Sequence, residues 1–145
     1  MIKVQKLDFN VNLEIKKITS NNRNIGGIGL FIGIVRDGDQ KLKSMTLEHY
    51  PIMTEKMLEK INIEAKNRWK LIDSVIIHRH GKLYPGDQIV LVATFSQHRR
   101  DALESCEFLI DWLKTKAPFW KLEETTSGKN WVKEKNSDVV ATKKW

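Results

Sequence analysis

The chain has 145 residues, of which 41% are apolar and 30% charged, and its net charge at pH 7 is +7. These values are ordinary for one globular domain over residues 1–145, and they favour a negatively charged partner: nucleic acid, a phosphorylated metabolite or an acidic protein. The single cysteine excludes an internal disulfide and is consistent with the cytoplasmic location that we expect. No apolar run is long enough to span a membrane, and the N-terminus lacks a signal-peptide core.

The first half of the chain alternates between segments with strand and helix periodicity. The nearly continuous apolar run over residues 27–35 is typical of a strand buried on both faces, and its glycines allow another backbone or a ligand to approach closely. Pro51 marks the first turn of a long helix. In chain order, the predicted elements are a strand over 2–6, a helix over 9–18, a strand over 27–35, a loop over 37–43, a strand over 44–50 and a helix from 51 to about 70, with an apolar stripe at Met57, Ile61, Ala65 and Trp69.

The second half contains one more long helix between strongly β-prone segments. Pro118 stops this helix, and a Ser127-Gly128 turn separates two closing strands. Strands therefore cluster around two long helices without strict βαβ alternation, which predicts an α+β fold with a mixed or antiparallel sheet. The predicted elements are strands over 74–80 and 88–96 around a turn at 84–87, a helix over 101–116 with a stripe at Ala102, Cys106, Ile110 and Leu113, and strands over 119–124 and 131–132.

Cationic side chains lie at both ends of the second long helix. Residues 96–100 (SQHRR) precede the helix, Lys114 lies in its last turn, and residues 118–121 (PFWK) follow it directly. Positive charge beside aromatic surface suits a flat anionic small molecule, such as a phosphorylated heterocycle. This pattern predicts a ligand site.

Six short motifs occur in order and at consistent spacing between residue 26 and the C-terminus. They are residues 31–37 (FIGIVRD), 47–51 (LEHYP), 77–83 (IHRHGKL), 96–99 (SQHR), 113–114 (LK) and 117–123 (APFWKLE). With these motifs the chain resembles the catalytic (large) subunit family of molybdopterin synthase. The first 25 residues match that family only weakly.

The resemblance implies an α/β hammerhead fold and a sulfurtransferase of molybdenum-cofactor synthesis. Family members convert cyclic pyranopterin monophosphate into the dithiolene of molybdopterin. The sulfur arrives as a thiocarboxylate on the C-terminal glycine of a small ubiquitin-like partner subunit. A homodimer of the large subunit carries one small subunit at each end, which makes a heterotetramer, and no cofactor is implied.

The resemblance also implies which residues form the pocket. Lys114 and Lys121 are the expected catalytic residues, because ammonium groups there would hold the thiocarboxylate tail and neutralise developing negative charge. Ile34 departs from the pattern, since many family members have a basic residue at this position. The expected substrate-binding residues are Phe31, Arg36, His98, Arg99, Lys114, Lys121 and Glu123.

The length of the second helix adds a constraint on this pocket. About 15 helical residues separate Arg99 from Lys114, and at about 1.5 Å per residue they span roughly 22 Å. A tricyclic pterin phosphate is too short to touch both ends. The sequence therefore predicts a two-fold dimer in which His98 and Arg99 of one subunit complete the pocket that holds Lys114 and Lys121 of the other.

The same side chains also have simpler interpretations. Lys114 could be a solvated lysine paired with Asp111, three residues earlier on the helix. Lys121 could be a strand-edge lysine that discourages aggregation. His98 and Arg99 could form a helix entry without a ligand.

The sequence indicates neither thiol nor metal chemistry. Cys106 lies on the apolar stripe, which predicts a core side chain and a sulfur supply already activated on a partner. His78 and His80 share one face of a strand, but two imidazoles without a clear third ligand make a weak zinc site. We therefore expect no functional metal.

Two competing functions remain open from the residues alone. A basic nucleic-acid-binding module is supported by the net charge and by the Lys-rich C-terminal end, although Glu134 and Asp138 interrupt that run. An adaptor that binds a ubiquitin-like tail without catalysis is the second. The basic residues of the C-terminal end are Lys133, Lys135, Lys143 and Lys144.

Overall fold

The computed structural model describes residues 1–38, 41–132 and 136–145. The predicted α+β class is confirmed, and so are the two long helices. The elements are β1 (Ile2–Gln5), α1 (Val11–Thr19), β2 (Gly27–Ile34), β3 (Leu42–His49), α2 (Pro51–Arg68), β4 (Leu71–Arg79), β5 (Gly81–Leu83), β6 (Gln88–Ser96), α3 (Arg99–Thr115), β7 (Phe119–Thr125), β8 (Gly128–Trp131) and α4 (Asn136–Lys143). None of these helices combines the length and the apolar composition that crossing a membrane requires.

The strands form two four-stranded sheets. The first has the order β1-β4-β6-β2, in which only the β1–β4 pair is parallel. The second has the order β5-β3-β7-β8 and is antiparallel throughout. A small cluster around Phe9 and Phe95 packs on one side of the first sheet. The main core joins that sheet to the second sheet and to α2 and α3, with Leu47, Leu83, Val92 and Leu109 among its buried members.

The strand over residues 27–35 is not buried on both faces, so that prediction was wrong. β2 lies at an edge of the first sheet, and within this strand only Gly29, on the face toward α3, is buried. Ile28, Leu30 and Ile34 are 37%, 44% and 56% exposed. The reason is physical: a continuous apolar run signals that both faces avoid water, but it does not say whether the covering surface belongs to the same chain.

Glycines in β2 let α3 lie directly on the strand, as the sequence predicts. A Cβ atom on Gly29 would overlap the main-chain oxygen of Ala102 and stand 2.7 Å from Thr94 Oγ1. A Cβ atom on Gly27 would stand 3.3 Å from the Cα atom of Arg99. The start of α3 is therefore fixed beside the start of β2, and the helix carries Lys114 toward the opposite end of the strand.

The buried faces of the two long helices are rotated from the predicted stripes. In α2 the fully buried side chains include Thr54, Leu58 and Ile61, whereas Met57 is only partly buried. In α3 the predicted Ala102 and Cys106 are buried, but Phe108 and Leu109 take the places expected for Ile110 and Leu113, which are partly buried. Both faces are wider than one i, i+4 row, because each helix contacts more than one neighbouring element.

Two elements were not predicted. β5 pairs with β3 after the turn at Gly81, where φ is +87°. α4 lies in the segment that the sequence suggested as a basic tail. Thr142 Oγ1 donates to the main-chain oxygen of Asp111 at 3.1 Å, and the Trp145 indole donates to the Asp111 carboxylate at 2.6 Å. The C-terminal residues are thus held on α3, whereas Lys133, Glu134 and Lys135 lie outside the described residues.

Candidate functional site

β7 places Lys121 on the inner face of the second sheet. Lys121 is paired with Leu47, and Phe119 is paired with His49. Paired residues of antiparallel strands project to the same face, and Leu47 is 1% exposed, so this face is the one toward the core. Glu123, two residues further along, joins the same row. Lys121 is therefore a partly buried inner residue and not a strand-edge lysine.

Lys114 reaches Lys121 from the last turn of α3. The pKa of Lys121 is lowered to about 8, chiefly by burial, then by the positive charge of Lys114 and by a hydrogen bond with it. The carboxylates of Asp138 and Glu123 act in the opposite direction. The structure therefore brings together three of the predicted site residues, namely Lys114, Lys121 and Glu123, and adds Asp138 from α4. At neutral pH, Lys121 is an ammonium that gives up its proton unusually easily.

Asp111, the partner that the simpler interpretation assigns to Lys114, forms a hydrogen bond with another residue. The Asp111 carboxylate accepts the indole N–H of Trp145. The ion pairs found within residues 1–38, 41–132 and 136–145 do not include Lys114 or Lys121. They are Lys17–Glu14, Arg68–Glu64, Arg79–Asp8 and Lys144–Glu107.

A buried histidine forms the floor beside the two lysines. The His78 ring stacks on Phe119 with 3.7 Å between ring centroids and 14° between ring planes. Its Nδ1–H donates to the main-chain oxygen of Arg79 at 2.8 Å. Burial lowers the pKa of His78 to about 3, the bond to Arg79 opposes this shift, and the charges of Lys121 and Lys114 add to it. His78 is therefore neutral at all ordinary pH values.

His49 lies between this floor and the surface. Its ring centroid is 5.7 Å from that of Phe119 and 4.5 Å from that of His80. The Nδ1 atom of His49 is buried and has no hydrogen-bond partner within the described chain. Burial lowers the pKa of His80, as does the charge of His49. No three His, Cys, Asp or Glu side chains of the described residues are grouped to hold a metal ion.

Arg36 and Phe31 are placed by β2. Arg36 is exposed and follows the strand at a point fixed by two hydrogen bonds of Val35: its N–H donates to Asp87 O at 2.9 Å, and its oxygen accepts from Gly86 N at 2.7 Å. Phe31 is partly buried against the main core. Ile34 is an exposed apolar side chain, so it presents no cation near Arg36.

His98 and Arg99 lie at the other end of α3. Both are exposed, and the His98 side chain makes no capping hydrogen bond. A cavity of about 260 Å³ adjoins His98, and its lining residues are Lys70, Leu71, Ile72, Ser96, Gln97, His98 and Asp101. Since α3 runs unbroken from Arg99 to Thr115, one chain does not bring His98 and Arg99 to the lysine pair.

Cys106 is a core residue, as predicted. Its Sγ atom is buried and lies 3.8 Å from the main-chain oxygen of Val92. Burial raises the pKa of its thiol to about 12. The thiol is therefore not a nucleophile at physiological pH, and any sulfur used at the lysine pair must come from another molecule.

The sequence assigned no role to His49, indicated Phe119 only as part of an aromatic surface beside the cations, and suggested His78 only as a weak metal ligand. All three residues belong to the motifs named above, so the sequence did single them out. Their closeness in space could not be predicted, because it depends on the β3–β7 register and on the packing of β4 against the second sheet.

Comparisons with known proteins agree on one family. The MoaE protein family matches residues 4–116. The chain is 48% identical over 146 aligned residues to the molybdopterin synthase catalytic subunit of Ralstonia nicotianae, covering 99% of this chain and 83% of that protein. It resembles the molybdopterin biosynthesis MoaE protein of Burkholderia ambifaria with a TM-score of 0.86 and 50% identity, covering 100% and 97% of the two chains. It resembles molybdopterin synthase from Staphylococcus aureus with a TM-score of 0.83 and 29% identity, covering 90% and 96%.

The neutral state of His78 predicts an acid-sensitive fold. Between pH 6.5 and about 3 the unfolded chain binds a proton at this position and the folded chain does not, so the free energy of unfolding falls as the pH falls. His78→Phe keeps an aromatic ring on Phe119 and removes the titration. Chemical denaturation at several pH values should show a shallower acid decline in this variant, by up to about 1.4 kcal/mol per pH unit.

His98→Phe is the matched control, because His98 is exposed at the N-terminus of α3. It should leave the slope of stability against pH unchanged. A His78→Phe protein with the same acid slope as the parent would contradict the assignment of a buried neutral imidazole.

Proposed function

Because the chain belongs to the MoaE protein family, whose relatives include molybdopterin synthase catalytic subunits, we propose that it transfers sulfur onto cyclic pyranopterin monophosphate to form the molybdopterin dithiolene. The observation that carries this proposal is the closeness of two amines, that of the exposed Lys114 and that of the partly buried Lys121. The thiol of Cys106 is buried in the core and is not reactive. We call the space beside the two amines the lysine pocket, and it suits an anionic substrate and an anionic sulfur donor. The donor is the thiocarboxylate at the C-terminal glycine of a small ubiquitin-like subunit.

The chemistry proceeds in two rounds, one for each sulfur. In one round the thiocarboxylate sulfur attacks the side-chain carbon that bears the cyclic phosphate, and the C–O bond to the phosphate breaks as the C–S bond forms, which leaves a phosphate monoester. In the other round the sulfur adds to the neighbouring carbonyl carbon, whose oxygen leaves as water while the carbon–carbon double bond of the dithiolene forms. In each round water then cleaves the bond between the acyl carbon and the sulfur, which frees the small subunit with an ordinary carboxylate. The cyclic phosphate opens during the sequence, and a second charged small subunit supplies the other sulfur.

The two lysines have different tasks. Lys114 holds the tail and neutralises charge on the reacting carbonyl. Lys121 is the better proton donor, because a pKa of about 8 lets it release a proton to an opening phosphate ester near neutral pH. Glu123 and Asp138 keep Lys121 protonated in the resting state by opposing the lowering of its pKa.

The remaining cations come from a second copy of the chain. The edge of β2 has no strand beside it among the described elements, and its exposed side chains Ile28, Leu30 and Ile34 are apolar. Two-fold antiparallel pairing of this edge with its copy would cover them. The pairing sets the start of one β2 beside the end of the other, which brings His98 and Arg99 of one subunit close to Arg36 of its neighbour.

The assembly is thus a homodimer with one small subunit at each lysine pocket, a heterotetramer in total. The term catalytic subunit in the names of relatives supports the existence of a second kind of subunit. Within residues 136–145, Lys144 pairs with Glu107 at 3.3 Å, which gives this part of the basic C-terminal end a partner within the chain. The cytoplasmic location remains a prediction.

Reconstitution tests the proposed reaction. The purified chain is mixed with thiocarboxylated small subunit and cyclic pyranopterin monophosphate, and dithiolene product is measured by single-turnover kinetics. Lys114→Ala and Lys121→Ala should each lower the rate by at least about 100-fold, because each removes a charge that acts at the reacting atoms. Cys106→Ala serves as the control and should react at nearly the parental rate. Loss of substrate affinity alone, with a normal rate at saturation, would contradict a chemical role for either lysine.

Subunit exchange tests the shared pocket. Arg99→Ala and Lys114→Ala chains are each expected to be inactive, yet a mixed dimer contains one pocket with both residues intact. An equal mixture should therefore recover about a quarter of the parental activity.

Arg36→Ala mixed with Lys114→Ala provides the matched negative control. These two residues come from the same subunit at each pocket, so no combination restores an intact one. Equal recovery in both mixtures, or recovery in neither, would show that the pocket is not divided between subunits as proposed.

A further inference from the structure

We propose that His49 is a further ligand-binding residue of the lysine pocket and that its Nδ1 atom hydrogen-bonds the main chain of the partner's C-terminal tail. This inference rests on the proposed function, because it assigns one contact of the tail that delivers sulfur. It concerns how the tail is recognised and leaves the roles of the lysines unchanged.

The first observation is an unsatisfied atom in the right place. Buried polar atoms nearly always have a hydrogen-bond partner, so an exception requires an explanation. Within the described chain three side-chain atoms lack one: Glu14 Oε2, Thr54 Oγ1 and His49 Nδ1. Glu14 is on α1 and Thr54 on α2, whereas His49 adjoins the ring floor beneath the lysines. Only His49 is therefore positioned to gain its partner from a molecule that enters the pocket.

The second observation is a row of aromatic rings that become more buried from the surface toward the lysines. His80 lies just beyond the end of β4 and is partly exposed. His49 contacts His80 on one side and Phe119 on the other, and Phe119 stacks on the fully enclosed His78. Lys121 projects from the same face of β7 two residues further on. A chain entering past His80 meets His49 before it reaches the amines.

The spacing along this path fits an extended peptide. The Phe119–His49 pair and the Lys121–Leu47 pair are separated by two residues, or roughly 7 Å along the strands. An extended tail advances by about 3.3 Å per residue. A tail whose terminal carbonyl lies at Lys121 therefore passes His49 about two residues upstream of its end.

The chemistry of the tail explains why a ring nitrogen would be used. A glycine terminus offers no side chain, so recognition depends on its main-chain N–H and C=O groups and on a narrow channel. The neighbouring rings of His49, His80 and Phe119 offer flat surface against which such a tail can lie, and Nδ1 provides the polar contact. The precursor's phosphate is better matched to Arg36 and to the guanidinium at the start of α3, so the tail is the occupant that the geometry favours.

Binding of the small subunit tests the assignment. His49→Phe keeps the ring and removes the nitrogen, and His49→Asn retains a hydrogen-bonding group near the Nδ1 position. By calorimetry, His49→Phe should bind the full-length small subunit about tenfold more weakly, and His49→Asn should recover much of that loss. A small subunit lacking its last four residues should bind the parent and His49→Phe equally, so the two changes are non-additive in a thermodynamic cycle.

Thr54→Val is the matched control, because it also removes an unpaired buried atom at nearly constant volume. Neither His49→Phe nor Thr54→Val should lower the melting temperature, and only His49→Phe should change binding. If His49 had only a structural role, His49→Phe would lower the melting temperature and would weaken the binding of both forms of the small subunit alike. That result would overturn the proposal. Weaker binding of the pterin precursor with normal binding of the small subunit would overturn it as well. If the parent chain fails to bind the full-length small subunit, the proposed function itself fails.

Discussion

The closeness of the exposed Lys114 amine to the partly buried Lys121 amine is the constraint on which the rest of the structure depends. Burial of Lys121 and the like charge of Lys114 beside it both disfavour the ammonium form of Lys121, and its lowered pKa reflects that cost. The fold offsets it with Glu123 on the same strand and with Asp138 on α4. Neutral His78 beneath the pair adds no further charge. An anion bound beside the two amines would relieve the same repulsion, so the arrangement favours the anionic ligands that we propose.

The helix and strands that position the amines are rigid because they pack in direct contact with their neighbours. α3 lies so close to β2 that a methyl group at Gly29 would collide with its main chain. Lys114 is therefore positioned by the whole length of the helix. Lys121 is positioned by the β3–β7 register and by the stack of Phe119 on His78. The same helix separates Arg99 from Lys114, so the proposed site includes both residues only if Arg99 comes from a second subunit.

Much of this arrangement could be predicted from the sequence, and the failures have identifiable causes. The long helices were found because Pro51 and Pro118 mark their limits, and Lys114 and Lys121 were found through their motifs. The exposure of β2 was missed because apolar patterning does not distinguish an internal neighbour from a second copy of the chain. α4 was missed because its few apolar residues carry little periodicity. His49 was missed because its importance depends on a missing hydrogen bond, which only coordinates reveal.

Measurement of the Lys121 pKa by NMR tests the central claim most directly, with lysine side chains labelled at Cε and the resonance assigned by Lys121→Arg. The account predicts a midpoint near pH 8, and Lys114→Met should raise this midpoint toward the ordinary value of 10.5, because it removes the charge and the hydrogen bond of Lys114. A Lys121 midpoint near 10.5 in the parent, unchanged by Lys114→Met, would show that the two amines do not share a pocket and would contradict the account.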